Sequence, residues 1–101
     1  MNFKFGDIIL AEVQYTYTFE VKTRPALVLF TEYGNVICAG ITSNQKMKGI
    51  LLNKKEGMPK ESIIKINYLF TISERMIKRF VTKLSENKKE IIRDYLIKNL
   101  R

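Results

Sequence analysis

The chain has 101 residues, room for one domain around one hydrophobic core, and an apolar fraction of 46% that argues against global disorder. Eighteen Lys and Arg against ten Asp and Glu leave a net charge of +8. That field attracts polyanions such as nucleic acid or an acidic protein, although excess lysine also serves plain solubility. With no histidine and one cysteine, histidine catalysis, the usual nitrogen-and-sulfur zinc sites and an intramolecular disulfide are all excluded. The charge is spread along the chain: residues 1–72 carry nine basic and six acidic side chains, residues 73–101 nine and four. The N-terminus turns polar by Asp7 before any leader-like apolar region forms, and no run approaches membrane-spanning length. A cytoplasmic protein without a membrane anchor is expected.

In chain order, Gly6-Asp7 punctuates the start and Ile8 to Val13 reads as a first strand. Residues 14–23 mix aromatics, threonines and charges without a register, which predicts a long exposed hairpin connection able to act as a flap. Pro25 to Phe30 is apolar throughout, as in a strand buried on both faces, with proline at its tolerated first position. Tyr33-Gly34-Asn35 predicts a turn, Val36 to Ile41 its hairpin partner, and Cys38 within it a buried structural thiol. A weaker strand over Gly49 to Leu52 precedes a turn-rich stretch to Lys60, then alternation over Ser62 to Ile66 predicts another strand. Ser73 to Met76 resembles one helical turn, and Arg79 to Leu84 a closing strand.

Ser85 is the expected N-cap of a helix to about Asn99, with Glu86 near its positive end. Ile91, Ile92, Tyr95, Leu96 and Leu100 form its apolar face, and Lys88, Lys89, Arg93, Asn99 and Arg101 lie mostly elsewhere. These elements predict an α+β but mostly β domain: a small closed or half-open barrel with a C-terminal helix.

Three segments carry candidate chemistry. In Lys22-Thr23-Arg24-Pro25 an arginine at the mouth of a buried strand presents a planar donor fork suited to phosphate, though a surface charge has the same pattern. Ile41-Thr42-Ser43-Asn44 places hydroxyl and amide groups at a strand end, where they bond a phosphate or base edge or simply terminate the strand. Tyr15, Tyr17 and Phe19 interleave with Lys22 and Arg24 in the loop, a composition fit for stacking unpaired bases or for packing beneath the loop.

Taken together and in order, the Gly6-Asp7-Ile8 opening, Arg24-Pro25-Ala26-Leu27-Val28-Leu29 after a variable loop, and Ile41-Thr42-Ser43 resemble the MazF/PemK toxins of bacterial toxin–antitoxin systems. Ser62 to Ile66 followed by Leu69 to Ile72 looks like the family's later strand leading toward its terminal helix, so the resemblance spans nearly all of the chain, read as one domain over residues 1–101. It implies an SH3-like, plasmid-maintenance-toxin barrel that forms homodimers, needs no metal or cofactor, and cleaves single-stranded mRNA at short motifs until an antitoxin neutralises it. The family's arginine falls on Arg24 and its strand-end threonine on Thr42. Glu20 is nearest to a loop glutamate that some members use, while the usual loop glycines are replaced here by Thr16 to Val21.

The expected chemistry is attack of the RNA's own 2′-OH on the adjacent phosphorus, giving a 2′,3′-cyclic phosphate and a 5′-OH. Arg24 stabilises the phosphorane and Thr42 holds the phosphate; Glu20 is either the general base or an ordinary exposed carboxylate. Tyr17, Lys22, Ser43, Asn44, Gln45 and Lys46 are the expected RNA contacts, and an acidic, partly disordered antitoxin suits the basic surface. The alternative is a non-catalytic module of the same fold that grips nucleic acid or a protein target, such as a gyrase-directed or degenerate toxin.

Overall fold

A computed structural model describes residues 2–14 and 20–101. Six antiparallel strands form one curled sheet in the order β4-β5-β3-β2-β1-β6: β1 Asp7–Gln14, β2 Val21–Glu32, β3 Asn35–Thr42, β4 Ile50–Leu52, β5 Ser62–Ser73 and β6 Ile77–Lys83. Helix α1, Glu86–Asn99, follows. The sheet is a half-barrel, and the segment after β4 bridges the gap toward β6: Thr82 Oγ1 donates to the Glu56 carbonyl at 3.3 Å. No helix among the described residues is long and apolar enough to cross a membrane.

The uninterrupted apolar runs are explained by burial on both faces of the sheet. Alternation sends Ile8, Leu27, Ala39 and Ile41 into one core with Ile64 and Ile92 of the helix. Their neighbours Ile9, Ala26, Val28, Val36 and Cys38 enter a second core on the other face, completed by Phe70, Ile72 and Ile77. Cys38 is fully buried, and desolvation pushes its thiol from an ordinary 9.0 up to about 12.

Tyr33 and Gly34 both have positive φ, 51° and 78°, the backbone of a two-residue hairpin turn whose twist matches the strands it joins. Ser85 caps α1 as expected, its Oγ accepting from the Lys88 N–H at 3.1 Å. The docking face of the helix differs from the expected one. Ile92 and Leu96 reach the core, but Ile91, Tyr95 and Leu100 are exposed, and Lys88 and Lys89 lie against the barrel. Lysine stems pack while their ammonium groups find partners: Lys88 bonds the Leu51 carbonyl and pairs with Glu56 at 3.5 Å, and Lys89 reaches the Phe5 ring at 5.8 Å.

Strand limits differ too. β1 and β2 pair out to Gln14↔Val21, so the connection shrinks from 14–23 to 15–20 and the residues around Arg24 form strand. The start of β2 escaped the sequence reading because residues 21–24, ahead of Pro25, are exposed and do not continue the apolar run. The strand predicted over Ser62 to Ile66 continues through a bulge to Ser73 as one long β5, and β6 begins at Ile77 instead of Arg79.

Candidate functional site

Pro25 lies where β2 leaves β3 and keeps β1 alone: Leu10 pairs with Pro25, while pairing to β3 begins at Ala26↔Gly40. A residue without an N–H belongs at such a margin, since it cannot extend the ladder. The register of Ala26↔Gly40, carried two residues outward, sets Arg24 opposite Thr42 on the face that holds the second core. The strands therefore deliver both side chains to one place, just past the end of the packed apolar rows.

A cleft of about 850 Å³ opens there. Arg24, Thr42, Ser43 and Asn44 line it together with Lys60, Lys65, Asn67, Tyr68 and Arg79. Its described lining holds the cations Arg24, Lys60, Lys65 and Arg79 and no carboxylate, so its field selects an anion. Thr42 Oγ1 accepts from the Asn44 N–H at 3.1 Å, which leaves the hydroxyl proton as the group it offers to a ligand.

The remaining expected contacts divide. Asn44 Oδ1 accepts from the Lys46 N–H at 3.0 Å and holds the loop in a turn, while Gln45 Nε2 donates to the Glu61 carbonyl at 2.9 Å and ties that loop to the start of β5. Gln45 and Lys46 do not line the cleft. Glu20 and Lys22 form an exposed ion pair of 3.4 Å outside it. Tyr17 lies outside the described residues.

Sequence reasoning missed Lys60, Lys65, Asn67, Tyr68 and Arg79. For two of these a signal existed. Gly40 pairs with Lys65 but Ala39 pairs with Leu69, so residues 66–68 of β5 have no counterpart on β3 and bulge from the ladder. The polar Asn67-Tyr68 pair that broke the apolar pattern marks this bulge.

The chain matches the model of the PemK-like, MazF-like toxin of type II toxin–antitoxin systems over residues 4–100. Among solved structures, the Mycobacterium tuberculosis toxin MazF-mt6 is similar in fold, with a TM-score of 0.67, 22% sequence identity and coverage of 90% of this chain and 93% of that one. A comparison with curated proteins finds no match. With the family model spanning almost the whole sequence, the chain belongs to the PemK-like, MazF-like toxin family of type II toxin–antitoxin systems.

Proposed function

We propose that this toxin is a sequence-selective endoribonuclease that cuts single-stranded mRNA without a metal ion, is held in check by an acidic antitoxin, and acts in the cytoplasm as a homodimer. The family is known for endoribonucleases, which supports the reaction class. The observation that carries the reading is the meeting of Arg24 and Thr42 in a cleft whose described lining has four cations and no carboxylate.

RNA brings its own nucleophile. The 2′-oxygen attacks phosphorus, the P–O5′ bond breaks, and the products are a 2′,3′-cyclic phosphate and a 5′-OH. The 2′-OH proton passes to water, and water protonates the departing 5′-oxygen. Arg24 meets the charge that grows on the phosphorane oxygens, and Thr42 donates to one of them. Preorganised donors of this kind act without help from a protein nucleophile or histidine. Glu20 shares the β2 face of Lys22 and Arg24 by alternation, yet its α-carbon is about 13 Å from that of Arg24 along an extended chain. Together with its ion pair to Lys22, that spacing favours a role in holding Lys22 over a role as general base.

The second reading, a module that grips RNA without cutting it, draws on the lack of a carboxylate among the described lining residues. Incubation of a long unstructured RNA with the protein, with and without EDTA and beside Arg24→Ala, separates the two. Cleavage that persists in EDTA and disappears in Arg24→Ala supports the nuclease. Intact RNA that remains bound supports the module.

A further inference from the structure

We infer that the bulge at residues 66–68 of β5 forms a nucleobase subsite, in which the Tyr68 ring stacks the unpaired base beside the phosphate held by Arg24 and Thr42, and Asn67 reads that base's edge. The inference rests on the ribonuclease reading for the identity of the ligand as single-stranded RNA. Its structural grounds lie at Gly40, Tyr68 and the β5 bulge.

The first ground is the contact between Tyr68 and Gly40. A Cβ added at Gly40 would sit 2.6 Å from Tyr68 Cδ2, closer than side-chain carbons approach. The ring thus lies on bare backbone, and any other residue at position 40 would displace it. Gly40 has no positive φ that would otherwise call for glycine. The absent side chain makes room for the ring.

The second ground is exposure. Tyr68 remains 47% exposed although it is aromatic and lies beside Phe70, with ring centroids 5.4 Å apart and planes tilted by 38°. Gly40 and Phe70 support the ring from the protein side, and the cleft wets the rest. A ring supported in this way loses little entropy when a base stacks on it, and stacking tolerates every base because each has a π-face.

Position supplies the third ground. Gly40 precedes Thr42 by two residues on the same strand and face, about 7 Å away. That is the span from a phosphate to its own base. Asn67 lines the same cleft, and its amide offers both donors and an acceptor, the equipment for reading a Watson–Crick edge. A regular ladder would have left no residues to spare at this point; the bulge supplies them, as bulges beside functional sites do.

The test uses Tyr68→Leu, which keeps apolar bulk over Gly40 but removes the aromatic face, with Tyr68→Phe and Asn67→Ala beside it. The probe is a short RNA with 2′-O-methyl sugars and one 2-aminopurine, which cannot be cut through its 2′-oxygen and whose fluorescence is quenched on stacking. Thermal melting checks that each variant is folded. Tyr68→Leu is expected to weaken binding about tenfold and to abolish the quench, Tyr68→Phe to bind within about twofold of the parent, and Asn67→Ala to relax the base preference at one position beside the cut. Unchanged affinity, quench and cut-site choice in folded Tyr68→Leu would overturn the subsite. The two readings fail separately. A protein that cuts RNA with cut sites indifferent to Tyr68 and Asn67 loses only the subsite; one that binds through Tyr68 but never cuts loses only the nuclease.

Discussion

The inner and outer ends of one sheet face are built from the same strands, yet they do opposite things. At the inner end Ile9, Ala26, Val28, Val36 and Cys38 are sealed into the second core. Two residues further along the same rows, Ala26 gives way to Arg24 and Gly40 to Thr42, and the face opens into the cationic cleft. Alternation directs these side chains, adjusted by Pro25 and by the bulges within β2 and β5. On the proposed mechanism, a single strand step separates the packed rows that hold the sheet still from the row ends that carry the donors.

Breaking each end should therefore give a different phenotype. The largest effect is expected from Arg24→Ala, which should cut the RNA cleavage rate by roughly a hundred- to thousand-fold in single-turnover assays while leaving the denaturation midpoint nearly unchanged, because Arg24 is exposed. At the inner end Ile9→Ala should do the reverse. Deleting most of a fully buried side chain should cost about 3 kcal/mol in urea unfolding, with cleavage per folded molecule preserved at low temperature.

Thr42 sharpens the boundary, since it is half-buried where the packed rows give way to the cleft. Thr42→Val keeps shape but removes the donor and should slow cleavage roughly ten- to a hundredfold, and Thr42→Ser should retain most activity. Cys38 probes the sealed end by pH. Its raised pKa means that the unfolded thiol ionises first, so its contribution to stability is whole below 9.0 and is lost as pH climbs toward about 12. Denaturation midpoints across that window should fall less in Cys38→Ala than in the parent, and the native thiol should resist Ellman's reagent until unfolding. The smallest effect is expected for Glu20→Gln. As a rim ion pair its loss should change the cleavage rate by less than about tenfold, measured across pH, whereas a general base would lose its titrating limb along with a hundredfold or more.

Much of this was legible in the sequence because the signals are local. The apolar run of β2 suits a doubly buried strand, β3 reads as its hairpin partner, and Ser85 is the expected cap. The resemblance to the toxin family pointed to Arg24 and Thr42 as one site, and both line one cleft. What escaped depends on distant pairing. The exposed half of β2 reads as loop by composition, yet β1 holds it as strand through Val13↔Lys22 and its neighbours. Lys88 and Lys89 read as a solvent face because charge hides the packing value of their stems. Arg79 and Lys60 reach the cleft from elements whose proximity no spacing in the chain announces. Tyr68 had a visible clue, but a break between two short apolar runs suggests a turn before it suggests a bulge.

The most direct test of the account is to follow a defined RNA in which one nucleotide at the cut carries 2′-deoxyribose, with the ends of all products identified by mass spectrometry. Attack by the 2′-oxygen under Arg24 and Thr42 predicts a 2′,3′-cyclic phosphate and a 5′-OH from the all-ribose strand and no scission at the deoxy position. Equal cutting of the deoxy strand, or products bearing a 5′-phosphate, would contradict it.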